Sequence, residues 1–138
     1  MKHVLILCTG NSCRSIIAEA LVNAHLQGIH ASSAGVKASG KVNPYAKKLL
    51  EQKGIWHDSY HSKTIEEVID TPFDLIVTVC DHANETCPMF PYPTPKIHVG
   101  FSDPDGKEFE AFEQTYEAIF NELLPTIKTT LQGVHHEN

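Results

Sequence analysis

Apolar runs at His3–Leu7, Ile29–Ser33, Phe73–Val79 and Lys96–Val99 predict four β-strands. Helical periodicity separates them. The first helix is expected over Ser15–Leu26, with Ile17, Ala20, Leu21 and Ala24 on its apolar face. A second opens at Asn43-Pro44, an N-cap followed by proline at the first helical position, and ends before Gly54. A third, short helix starts near Thr64, where Thr64 and Glu67 have capping-box spacing. The last spans about Lys107 to Leu131 and carries a stripe of Phe109, Phe112, Tyr116, Ile119, Phe120 and Leu123. Pro125 is expected to kink or restart it. One domain over residues 1–132 and a frayed, flexible tail over 133–138 follow.

Strands alternating with helices predict an α/β fold: a single-domain, four-stranded parallel sheet flanked by helices, joined by right-handed crossovers. Ligands of such sheets bind beyond the carboxyl ends of the strands. Cys8 follows the first strand, Cys80 the third and Ser102-Asp103 the fourth. All three are expected along one edge of the sheet.

Composition narrows the class. The 138 residues suffice for a hydrophobic core, and 41% hydrophobic with 20% charged residues is ordinary for a soluble domain. A formal net charge of −6 argues against a general nucleic-acid binder, so an anionic substrate must be drawn in by local charge. No apolar run approaches the roughly 18 residues of a membrane span. A cleaved signal peptide would remove the site at position 8, so none is read and a cytoplasmic location is expected. Thiols are normally reduced there, so the four cysteines are read as metal ligands, catalytic groups or buried hydrophobes rather than a permanent disulfide framework.

The segment Cys8-Thr9-Gly10-Asn11-Ser12-Cys13-Arg14-Ser15 carries the chemistry. Between a strand and a helix it reads as a tight loop, in which backbone N–H groups and a helix N-terminus converge on a thiol. Such a site attracts a tetrahedral oxyanion and lowers the pKa of a thiol held there. Gly10 is expected to supply a positive φ. The Arg14 guanidinium can bind two oxygens at once. The Ser15 hydroxyl is expected to hydrogen-bond the Cys8 sulfur. Cys13 either packs beneath the loop or protects Cys8 through a reversible disulfide.

Asp103-Pro104 offers a carboxyl to protonate an oxygen leaving group, against the plainer reading of a Ser-Asp-Pro-Asp-Gly turn. Cys80 and Cys87 bracket a short segment. If it is helical they stand about 10 Å apart by rise alone, whereas a disulfide needs Cα atoms within roughly 7 Å. Joining them would require the segment to loop out, which is a switch. Two core cysteines, or zinc ligands with His82, are the other readings, and the spacings do not match common structural zinc pairs. No metal is expected. The nine histidines do not cluster, and Trp56 is read as core or edge packing.

With these residues in hand, the chain resembles the thioredoxin-coupled arsenate reductases, which share the low-molecular-weight protein tyrosine phosphatase fold. The resemblance rests on the run from Cys8 to Ser15, on Cys80 and Cys87 at the family's spacing, and on Asp103-Pro104. It implies reduction of arsenate to arsenite for arsenic detoxification. Cys8 would attack arsenate in the loop beside Arg14, and Asp103 would protonate the departing hydroxide. Cys80 would then attack Cys8, Cys87 would attack Cys80, and the redox-active Cys80–Cys87 disulfide would pass to thioredoxin. It also implies no tightly bound cofactor, weak phosphatase activity, phosphate and sulfate as analogues in the loop, and a monomer.

In some members of that family a monovalent cation is held by side chains matching Asn11, Glu19 and Ser33. The further acidic ligand aligns near Ser62-Lys63, where Lys63 would replace the cation with its own ammonium and contact Glu19. The competing readings are a low-molecular-weight tyrosine phosphatase and a non-catalytic arsenic or zinc sensor. Cys80 and Cys87 speak against the first and cysteine spacing against the second.

Overall fold

The computed structural model describes residues 1–136. Four parallel strands, β1 (Lys2–Cys8), β2 (Ile29–Gly35), β3 (Leu75–Thr78) and β4 (Lys96–His98), form one sheet in the order β2-β1-β3-β4. Val4 to Leu7 on β1 are fully buried and all of β3 is buried. Central strands covered on both faces need continuous apolar runs rather than alternation. β4 is short and partly exposed, as an edge strand.

The helices are α1 (Arg14–His25), α2 (Pro44–Gln52), α3 (Asp81–Thr86), α4 (Phe109–Ala118) and α5 (Leu124–His136). The Asn43 side chain caps α2 by accepting the Tyr45 N–H at 2.8 Å, with Pro44 at the first helical position. The element expected at Thr64 is a single 3-10 turn, Ile65–Glu67, with its capping box formed. The long C-terminal helix is interrupted. A π-helical turn, Ile119–Leu123, separates α4 from α5 just before Pro125. Proline has no N–H to donate four residues back, and the widened turn absorbs the break. Gly133–His136, expected in the tail, continue α5, and positions 137–138 lie outside the described residues.

Two face assignments change. α1 is buried without a break from Ser15 to Val22, while Ala24 is exposed. The sheet lies on one side of this helix, and α2, α4 and the π turn pack on others, so its first two turns have no free face. Phe120 is exposed and lies edge-on to His25, whereas Phe112, Tyr116, Ile119 and Leu123 are buried. The π turn adds one residue to the period and rotates Phe120 off the stripe.

The strand order fixes where a site can form. The chain runs outward from β1 to β2 on one side and on to β3 and β4 on the other. The crevice where that direction reverses opens between the carboxyl ends of β1 and β3. Cys8 ends β1, and Cys80 follows β3 by two residues. No described helix is long and apolar enough to cross a membrane.

Candidate active site

The loop from Thr9 to Cys13 is supported from outside by the chain that leaves β2. The carbonyls of Cys8, Thr9, Gly10 and Ser12 accept the N–H groups of Val36, Lys37, Ser39 and Asn43 at 2.9–3.0 Å. In a planar trans peptide the next N–H points the opposite way. The amides of Thr9, Gly10, Asn11 and Cys13 therefore face inward, and those of Gly10 to Cys13 donate to no protein acceptor among the described residues. Cys13 is the N-cap of α1 but makes no side-chain cap bond, so the open N-terminus of that helix adds its own donors. The result is a ring of N–H groups around Cys8.

The left-handed residue of the loop is Asn11, at φ 51°, and not Gly10. Asparagine tolerates this conformation, and here its side chain is fixed as well. The Asn11 amide donates to Ser15 Oγ at 2.7 Å and to Ser33 Oγ at 2.9 Å, and its oxygen accepts the Lys63 N–H at 2.7 Å. Ser15 is thus engaged with Asn11 rather than with the Cys8 sulfur. The hydroxyl that does touch a reactive sulfur belongs to Thr9, whose Oγ1 lies 3.2 Å from Cys80 Sγ.

Ser33 donates in turn to Glu19 at 2.6 Å, and Lys63 Nζ stands 4.0 Å from the same carboxylate. The contact between Lys63 and Glu19 is the one expected. Burial pushes the Glu19 carboxyl above its ordinary range, opposed by Lys63 and by the Ser33 hydroxyl. Removing Lys63 raises it further. A carboxyl raised on folding contributes stability that is full below its unfolded value and lost as pH rises through the folded one. Lys63→Met is therefore expected to match the parent near pH 4 and to fall behind by up to about 3 kcal/mol by pH 8. Urea midpoints across that range measure it, and a deficit equal at both ends would contradict it.

Gly35 makes the close packing of loop and support possible. A Cβ there would stand 2.6 Å from the Thr9 carbonyl oxygen and 3.1 Å from Ala38 Cα and Asn11 Cβ. Gly35→Ala is expected to cost about 1–3 kcal/mol, read from the urea midpoint.

Cys8 and Cys80 are both buried at the carboxyl ends of the paired strands β1 and β3, and the Thr9 hydroxyl next to Cys8 lies 3.2 Å from Cys80 Sγ. The neighbouring Cys8 thiol holds the Cys80 thiol down to about 5; burial opposes this, while the Thr9 hydroxyl and the Ala83 N–H at 3.5 Å add to it. Cys80 and burial push Cys8 well above the ordinary thiol range, against Arg14 and the Thr9 N–H. The two sulfurs titrate as a pair, and Arg14 draws both toward the thiolate. Cys13 is buried beneath the loop and pushed up to about 11, chiefly by burial. All four cysteines are free thiols.

Arg14 is anchored by an Nη1 bond to the Phe101 carbonyl at 2.9 Å, and its Nη2 lies 3.6 Å from Asp103. Its Nε is buried without a partner. Asp103 stands at the exposed mouth and accepts the Asp105 N–H at 3.0 Å, so the turn geometry and the contact with Arg14 coexist. Cys87 caps the far end of α3, half-buried, its thiol raised by burial and lowered by Lys96. Residues 81–86 are helical in this thiol state. Trp56 is half-buried, edge-on to Tyr60 and under Lys47. Among the described residues no three His, Cys, Asp or Glu side chains converge as metal ligands.

Fold and site define a class: an α/β protein that presents a thiol inside a ring of inward-facing amides. Residues 3–133 match the family model of low molecular weight phosphotyrosine protein phosphatases, and the chain belongs to that family. An arsenate reductase of Brevibacillus brevis is 41% identical over 119 residues, covering 86% of this chain and 88% of the relative. The crystal structure of an arsenate reductase from Archaeoglobus fulgidus superposes with a TM-score of 0.78 at 32% identity, covering 91% of this chain and 98% of that one. A further solved structure, of an arsenate reductase in the phosphate binding state, has a TM-score of 0.73 at 29% identity and covers 94% and 98%.

Proposed function

We propose that the protein reduces arsenate to arsenite through Cys8, Cys80 and Cys87, and that thioredoxin returns the resulting disulfide to thiols. The observation that carries this reading is the placing of two buried thiols, Cys8 and Cys80, at the carboxyl ends of the paired strands β1 and β3, with the Thr9 hydroxyl 3.2 Å from Cys80 Sγ. A hydrolase needs one thiolate at its oxyanion site. A second buried thiol, poised against the first, gives the oxidation somewhere to go. The relatives named above are arsenate reductases, which supports arsenate as the substrate and reduction as the reaction.

Arsenate sits on the inward amides and beside Arg14; that a related arsenate reductase was solved in the phosphate binding state supports an oxyanion seat. The Cys8 proton passes to an oxygen of the bound arsenate, and the resulting Cys8 thiolate, favoured by Arg14 and the Thr9 N–H, attacks arsenic. An As–OH bond breaks, and Asp103 supplies the proton that makes the departing hydroxide water. Cys80 then attacks Cys8 Sγ. The S–As bond breaks with its electron pair kept on arsenic, which leaves as arsenite, and a Cys8–Cys80 disulfide remains. Cys87 attacks Cys80 Sγ and releases the Cys8 thiolate. Because α3 holds the two ends about 10 Å apart, this last exchange requires the helix to unwind. The dithiol of thioredoxin then reduces Cys80–Cys87 and becomes a disulfide itself. The cytoplasm, with its reduced thiols, is the compartment that suits such a cycle.

Arsenate-dependent NADPH oxidation with thioredoxin and thioredoxin reductase tests this reading. Wild type is expected to turn over continuously. Cys87→Ser is expected to release about one arsenite per chain and stop; normal turnover by that variant would refute the relay. The family also supports a phosphatase. That reading predicts turnover of p-nitrophenyl phosphate sensitive to Cys8→Ser alone, with no arsenite formed.

A further inference from the structure

α3 is short and thinly packed. Ala83 is its one buried residue, and the Cys80 cap holds its first turn from within. Two other attachments come from β4. His98 Nε2 lies 3.0 Å from Asp81 Oδ1, at the first residue of α3, while His98 Nδ1 lies 2.8 Å from the Oγ1 of buried Thr78. Thr78 and His98 are register partners at the ends of β3 and β4. Gly100 leaves room for the pair, since a Cβ there would stand 3.2 Å from Nε2 and 3.6 Å from the Asp81 carboxylate. Lys96, two residues before His98 and so on the same face of β4, donates to the Asn84 carbonyl at 3.5 Å.

We propose that His98, held by Thr78, latches the first residue of α3 through Asp81 and thereby favours the dithiol over the Cys80–Cys87 disulfide. This rests on the relay reading above. The disulfide cannot form across an intact helix, because its Cα atoms must come within roughly 7 Å. Unwinding residues 81–86 breaks the His98–Asp81 contact. Each bond present only in the helical dithiol shifts the exchange equilibrium toward that form. The side-chain hydrogen bonds of His98 go to Thr78 and Asp81, and none goes to Cys8 or the loop, so it sets when the relay passes its electrons on, and not how the oxyanion is bound. Asp81 is 90% exposed, which limits the latch to about fivefold in the equilibrium.

The test equilibrates the full chain with a dithiothreitol couple. The chain's dithiol gives two electrons and two protons to the buffer disulfide, and the Cys80–Cys87 peptide is quantified after alkylation. His98→Ala and Asp81→Ala are each expected to favour the disulfide about fivefold, a potential about 20 mV more negative. The double variant is expected to shift no further than either alone. Phosphate affinity is expected to stay at the wild-type value in all three. Unchanged potentials, shifts that add in the double variant, or a parallel loss of phosphate affinity would overturn the latch. A wild type that forms no Cys80–Cys87 peptide at any poise would overturn the relay reading, and the latch with it.

Discussion

Cys80→Ser is expected to lower steady-state arsenate reduction by roughly a thousandfold or more while p-nitrophenyl phosphate hydrolysis survives. The two activities separate because they use different parts of one site. Hydrolysis needs the Cys8 thiolate, the inward amides and Arg14, and a serine at 80 can still bond the Thr9 hydroxyl and accept the Ala83 N–H as Cys80 does. Reduction needs a second sulfur to attack Cys8 and leave the electron pair on arsenic, which a hydroxyl cannot do at this pH. The amide ring and the core are untouched, so stability is expected to stay close to that of the parent. Parallel assays of arsenite and p-nitrophenol decide the matter. Equal loss of both activities would mean that Cys80 acts only by holding the loop.

Arg14→Lys is expected to lower kcat/KM for arsenate and for p-nitrophenyl phosphate alike, by about a hundredfold. The charge is kept, but three features of the guanidinium are not. Its planar fork binds two oxygens at once, its Nη1 is tied to the Phe101 carbonyl, and its buried Nε has no protein partner and remains available to the anion. A lysine ammonium offers one point of charge on a loose stem. Cys8 and Cys80 also lose part of the field that favours their thiolates. Steady-state kinetics with both substrates measure the effect. A loss confined to one substrate would contradict a common oxyanion seat.

Much of this site was legible in the chain. Cys8, Arg14 and the helix behind them follow from a strand, a run of small polar residues and an apolar period of 3.6. Asp103 was legible through its proline and its place after a strand, and the contact of Lys63 with Glu19 through the resemblance. What escaped the sequence is long-range. The strand order brings Cys80 onto Cys8, and no local pattern encodes which strand lies beside β1. The support of the loop by Val36, Lys37, Ser39 and Asn43 is backbone pairing across 28 or more residues, blind to side-chain type. The sequence favours Gly10 for the left-handed residue, because glycine bears that conformation most cheaply. Three hydrogen bonds stabilise it at Asn11 instead. Ala24 and Phe120 were misplaced for a related reason, since helix periodicity names a face but not the neighbours that cover it or the π turn that rotates it.

The relay stands or falls on where the oxidation rests after one turnover. Reduced protein mixed with one equivalent of arsenate and no external reductant, then alkylated and mapped by mass spectrometry, reports this. A Cys80–Cys87 disulfide, alkylated Cys8 and Cys13, and about one arsenite per chain are predicted. Arsenite released with the oxidation lodged between Cys8 and Cys13, or with every cysteine still alkylated, would contradict it.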